Sequence, residues 1–258
     1  MATENTTGVR LGRREFVLGM TPALFHWPGF LQQKPVKVLS GVEFRVLRYD
    51  PVGFRKSPRR YLMIHGDEDT ARDVLTSYMA DHEGVAFIVT SKTREVMING
   101  VKIDANRMFS RVGAALSINR LTPGLDGQKV AATLDFLDDK HQREFFLKEL
   151  LPQKGSRLVA LHNNRDYSVN DEIAASDQTS IPQPKLPGFF FLCTDAKDYA
   201  LLKQSPYNVV LQSKPDPDDG SLSRLAARRG FRYINLECPV GEYEGQQERL
   251  RWMDDRLP

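Results

Sequence analysis

Three short apolar runs each end on a side chain that can bind a metal ion or carry a proton, and this pattern restricts the fold more than any other feature. Tyr61-Leu62-Met63-Ile64 ends at His65, Leu158-Val159-Ala160-Leu161 at His162, and Tyr233-Ile234-Asn235-Leu236 at Glu237. Runs of this length read as short buried strands. After the first run, Ala71, Val74, Leu75 and Tyr78 fall at helical spacing over residues 70–82, and 85–90 is again a buried-strand run. Strand, polar turn, helix, strand is the order of a βαβ unit. Open α/β sheets bind ligands at the carboxyl ends of their strands. Three strands would therefore deliver His65, His162 and Glu237 to one edge. The expected fold is a single α/β domain, a mixed twisted β-sheet flanked by helices.

Other segments fit around that frame. Residues 36–39 and 42–49 alternate apolar and polar positions around Ser40-Gly41, which predicts a hairpin. A helix is expected over 140–151, with Phe145, Phe146 and Leu150 on its apolar side. Residues 163–188, rich in Asn, Asp, Ser and Pro, read as a surface excursion. A strand is expected at 207–211, a helix at 221–229 and a closing amphipathic helix at 244–255.

Composition excludes several classes. The chain has 258 residues, enough for one domain to bury its own core without disulfides. Lys and Arg total 36 against 33 Asp and Glu, a net charge of +3, which is too even to indicate nucleic acid or an anionic membrane as partner. No segment reaches the roughly 20 apolar residues of a membrane span. Cys193 and Cys238 could pair in an oxidising compartment, and the simpler expectation is two buried free thiols. The N-terminus has the pattern of an export signal. Arg13-Arg14 precedes an apolar stretch broken by Pro22, His26 and Pro28, like a twin-arginine segment. Residues 1–33 would then be that segment and 34–258 the catalytic domain, with a periplasmic or secreted location, the alternative being cytoplasmic.

In His65-Gly66-Asp67-Glu68 an imidazole and a carboxylate stand three residues apart, which on a turn entering a helix lets both face one ion. A catalytic zinc takes three His or Asp/Glu ligands and keeps one position open. His162 is the candidate third ligand. Glu237, at another strand end, is the candidate for the carboxylate that accepts and returns a proton.

These residues resemble the motifs of the zinc metallocarboxypeptidase superfamily. His65-Gly66-Asp67-Glu68 is similar to its His-x-x-Glu motif, and Asp104-Ala105-Asn106-Arg107-Met108-Phe109 to its Asp-x-Asn-Arg-x-Phe segment. His162 and Glu237 are similar to its strand-borne second histidine and catalytic glutamate. The matches occur in the family's order over residues 59–241. The resemblance implies a zinc-carboxypeptidase-like fold binding one Zn2+ through His65, Glu68 and His162, with Glu237 as general base. It implies that Asp104 orients His65, that Asn106 and Arg107 hold a substrate carboxylate, and that Arg94 stabilises the oxyanion. A tyrosine expected near the site is Tyr167, Tyr199 or Tyr207.

The short interval from Glu68 to Asp104 is closer to small bacterial members and to the deacylase branch, which Ser221-Leu222-Ser223-Arg224 also resembles. Met108 and Ser110 replace commoner residues. The implied activity is hydrolysis of a peptide or amide bond beside a free carboxylate, on a peptide or an acyl-amino acid. The competing expectation is a non-catalytic protein of the same fold that binds zinc or a peptide.

Overall fold

The fold is built on fully buried central strands, as the short apolar runs require. It was obtained as a computed structural model, which describes residues 42–44, 47–53, 57–151 and 155–258. The segment expected to be an export signal (1–33), strand 36–39 and the Ser40-Gly41 turn lie outside the described residues. The described part belongs to one compact unit.

Eleven described strands and eight helices follow in chain order. β1 (Val42–Phe44), β2 (Leu47–Gly53) and β3 (Arg60–Met63) lead into α1 (Asp69–Asp81) and β4 (Val85–Val89). A hairpin of β5 (Glu95–Ile98) and β6 (Val101–Asp104) precedes α2 (Arg111–Leu121), α3 (Gly127–Leu137) and α4 (Lys140–Leu150). Then come β7 (Arg157–Asn164), α5 (Val169–Ile173), β8 (Gln178–Ser180), β9 (Phe190–Cys193) and α6 (Ala196–Leu202). The chain closes with β10 (Asn208–Leu211), α7 (Leu222–Arg229), β11 (Arg232–Pro239) and α8 (Tyr243–Asp254).

Nine strands form one mixed sheet in the order β1-β2-β4-β3-β7-β11-β9-β10-β8, with β5 and β6 a separate pair. The middle four, β4-β3-β7-β11, are mutually parallel. The chain passes from β3 through α1 to β4 on one side, and β7 pairs on the other side of β3. The strand order thus reverses at β3/β7, and that crevice is where such sheets bind ligands.

Local chemistry sets the element ends. Ser110, Asp126, Asp195 and Ser221 each accept a backbone N–H in the first turn of α2, α3, α6 and α7. α1 buries Ala71, Val74, Leu75, Tyr78 and Met79 against the sheet, each larger apolar side chain contributing roughly 1.5–3 kcal/mol. Gly66 must be glycine, since a Cβ there would lie 2.4 Å from the Ser91 carbonyl oxygen.

Several expectations are corrected. Run 42–49, expected as one strand, is divided between β1 and β2, which pair with each other, Phe44 opposite Leu47. Phe145 is 60% exposed and points away from the buried Phe146 and Leu150, because the i,i+1 relation turns it about 100° around the helix. The excursion 163–188 carries α5 and the edge strand β8. His162 and Glu237 lie inside β7 and β11, not beyond their ends. Cys193 and Cys238 are buried free thiols. No described helix is long and apolar enough to cross a membrane.

Candidate metal centre

His65 sits two residues past β3, Glu68 is the N-cap of α1, and His162 lies in β7 beside them. All three are buried, and one ligand atom of each lies within 4.8 Å of the others. His65 Nδ1 is 2.9 Å from Glu68 Oε1 and 3.2 Å from His162 Nδ1, and His162 Nδ1 is 3.3 Å from Glu68 Oε1. Glu68 can aim inward because it does not cap its own helix. Asn163 does so instead, its Oδ1 accepting from Ala71 N at 2.7 Å. The Asn163 amide donates to Gln246 Oε1, and the Gln246 amide donates to the His162 carbonyl, which ties α8 to the strand carrying the histidine.

Asp104 fixes the tautomer of His65. Burial raises the Asp104 pKa, but His65 and the guanidiniums of Arg94 and Arg107 outweigh it and hold the group well below the carboxylate range. An ionised carboxylate only accepts, so His65 Nε2, 2.9 Å from Asp104 Oδ1, is the donor. That leaves His65 Nδ1 turned toward Glu68 and His162 Nδ1. The Glu68 carboxylate accepts, and each imidazole Nδ1 accepts whenever it carries no proton, so the point they share suits a positive charge, a proton or a metal ion. Burial lowers the His65 pKa, yet Glu68 and Asp104 win and place it at about 9. The Glu68 carboxyl, raised by burial, is pulled by the two imidazoles to about 2. Glu68 Oε2 is buried without a hydrogen-bond partner among the described residues, 3.2 Å from His162 Nδ1. Donors on a tetrahedral zinc with arms near 2 Å stand about 3.3 Å apart, close to the separations here. The donor set and its spacing fit a divalent metal ion.

Glu237 pairs with His162 across β11 and β7. Its Oε1 accepts from Asn235 Nδ2 and its Oε2 from Asn164 Nδ2, each at 3.1 Å. Burial raises its pKa, opposed by His162 and the two amides and reinforced by Glu68. Asn164 also donates to the Gly188 carbonyl, which fixes its orientation.

The cleft over this cluster has a volume of about 410 Å³ and is lined by His65, Glu68, Arg94, Asp104, Asn106, Arg107, His162 and Glu237. The Asn99-Gly100 turn of the β5/β6 hairpin, both residues at positive φ, brings Glu95 opposite Asp104 and so sets Arg94 beside the centre. The Arg94 guanidinium is 3.3 Å from Glu68 Oε1 and 3.4 Å from Asp104 Oδ2. Arg107 lines the cleft 3.7 Å from Asp219. Asn106 lines it too, but its Oδ1 accepts from Leu222 N, so its amide nitrogen is the part left for a ligand. Of the three tyrosines, Tyr167 lines the cleft; Tyr199 packs in the core and Tyr207 against Trp252 and Arg249.

Sequence reasoning missed several neighbours. Arg120 on α2 stands 3.7 Å from Asp104 Oδ2. Asn235 is two residues before Glu237 on one strand, and the period of two puts both on one face, a signal the sequence does contain. Asn163 and Asn164 directly follow His162. Glu172 and Gln212 come from separate elements, with nothing in the sequence to link them.

No protein-family model matches the chain, and no curated protein matches it in sequence. Among solved structures, it is similar to a candidate metallopeptidase from Shewanella amazonensis, at 9% identity over 86% of this chain and 87% of that one, with a TM-score of 0.35. A likeness at that level leaves the functional reading to the site's own chemistry.

Proposed function

We propose that the chain is a zinc-dependent hydrolase of a peptide or amide bond next to a free carboxylate. The observation that carries this is the convergence of His65, Glu68 and His162 on one point with metal-ligand spacing, with Glu237 buried on the adjoining strand. The three residues would hold the metal, and their mixed nitrogen and oxygen donors suit Zn2+. When bound, zinc supplies Lewis-acid polarisation and makes water more acidic.

The remaining work falls to the chain itself. Glu237 is the proton acceptor. Its raised pKa brings it nearer neutrality, where a carboxylate both takes a proton and returns it to a leaving amine. Asn235 and Asn164 grip both its oxygens and fix its direction. Arg107 offers a planar fork to the substrate carboxylate, aided by the Asn106 amide. Arg94 provides fixed positive charge near the reacting carbonyl, where negative charge develops. Asp104 holds the His65 ring in place from behind. Residues 1–33 acting as an export segment would direct the activity to peptides or cell-wall fragments outside the cytoplasm.

The test is elemental analysis of the wild type and His162→Ala, with turnover of Glu237→Gln on short peptides and N-acyl amino acids. About one zinc per chain, lost in His162→Ala, and a Glu237→Gln variant that keeps zinc without turnover are expected. A wild type that takes up no metal when zinc is supplied overturns the reading. So does full activity in Glu237→Gln.

A further inference from the structure

On the sheet, Asn235 of β11 is the register partner of Leu192 on β9, and Gln212 follows directly on β10. All three line the cleft, and Leu192 brings apolar surface packed on Val169, Phe190 and Val210. Glu172, on α5, belongs to the same lining.

The Glu172 carboxylate is held only by neutral donors. Its Oε1 accepts from the Tyr167 hydroxyl and its Oε2 from the Gln212 amide. Among the described residues no cationic side chain forms an ion pair with it. Three other acids of the lining are paired: Glu68 and Asp104 face imidazole and Arg94, and Asp219 faces Arg107, whereas Glu237 is held, like Glu172, by neutral donors. Asn235 Oδ1 is likewise buried without a partner among the described residues. This part of the lining has acceptors in excess and a negative charge with no counter-ion. A partly buried carboxylate in that state gains from any cation that reaches it. Apolar Leu192 beside a charged end suits a ligand group with an aliphatic stem and a cationic head.

We propose that this region is a subsite for a cationic aliphatic side chain, of lysine or arginine type, with Glu172 as counter-ion and Tyr167 and Gln212 as its supports. The proposal deepens the hydrolase reading, and rests on it only for what happens to the bound group.

Calorimetric titration of the zinc-loaded full chain with L-lysine and L-norleucine, which differ in the terminal charge, tests it without turnover. The wild type is expected to bind L-lysine at least about tenfold more tightly, the scale of one charge-assisted hydrogen bond. Glu172→Gln, which keeps size and one acceptor but not the charge, is expected to bring L-lysine down to L-norleucine and leave L-norleucine unchanged. Equal binding of the two by the wild type, binding of neither, or a preference that survives in Glu172→Gln overturns the subsite. Should the variant fail to fold, the wild-type comparison still decides. Preference for L-lysine in a protein that hydrolyses nothing would refute the hydrolase reading and keep the subsite; turnover without preference would do the reverse.

Discussion

Replacing Asp104 by Asn separates the orientation of a metal ligand from the ligand itself. Asp104 is 3% exposed and accepts from His65 Nε2 at 2.9 Å and from Asn106 N at 2.8 Å, both on Oδ1. Its Oδ2 faces Arg94 and Arg120 at 3.4 and 3.7 Å. An amide of the same shape can keep the Oδ1 acceptor but turns an N–H2 donor toward two guanidiniums. Flipping the amide to relieve that clash would present the donor to His65 Nε2–H instead. Either way the ring loses a charged partner, and losses of this kind weaken metal affinity about 10–100-fold, or about 1.4–2.7 kcal/mol. The arginine pairs add little, because Arg94 and Arg120 are 41% and 66% exposed. Zinc affinity measured by competition with a chromophoric chelator should therefore fall by one to two powers of ten, about the factor quoted above, with the metal-free protein still folded by circular dichroism. Affinity within about twofold of wild type would refute the role given to Asp104, since that is well below the effect of losing such a partner.

Three further outcomes follow from packing and charge. Gly66→Ala puts a Cβ 2.4 Å from Ser91 O and 2.8 Å from Thr93 N, both backbone atoms that cannot swing aside; a loss of roughly 1–3 kcal/mol in urea unfolding is expected, and wild-type stability would disprove the close approach. Asp254 accepts from the hydroxyls of Tyr61 and Tyr78 and from the buried Arg157, so Asp254→Ala strands a buried guanidinium and should cost about 3–5 kcal/mol by the same measurement. The Lys214 ammonium and the Ser213 donors hold the Asp177 carboxyl down at about 2. Its contribution is present above the ordinary carboxylate pKa and is lost as pH falls through about 2. Stability of the wild type should fall more steeply on acidification than that of Asp177→Asn; identical acid limbs would refute this.

Much of the frame was readable because burial on both faces leaves a plain mark. The runs at 61–64, 85–90 and 158–161 became β3, β4 and β7, and helical spacing over 70–82 became α1 within a residue or so. The element that aligns Arg94 with Asp104 was less obvious, although Asn99-Gly100 between apolar residues is a strong hairpin signal. β9 and α6 escaped because their sequence offers a short aromatic run and about two turns of helix, neither with a long period. In the site, residues that follow a strand or share its face can be found by counting. Glu172, Gln212 and Arg120 cannot, since each reaches the cleft through tertiary packing of an otherwise ordinary segment. Phe145 shows the converse, a large apolar residue in a helix whose orientation neighbouring turns decide.

The two halves of the metal cluster differ in how they come together during folding. His65 and Glu68 are three residues apart and meet within one turn, whereas His162 is 97 residues after His65 and arrives only when β7 docks on β3 in the middle of the sheet. Closing so long a loop is among the slower events of folding. A cation held by all three side chains would act as a rivet across the β3/β7 seam, engaged only after that seam has closed. Its effect would fall on the rate at which the folded chain opens and leave the rate of refolding nearly unchanged.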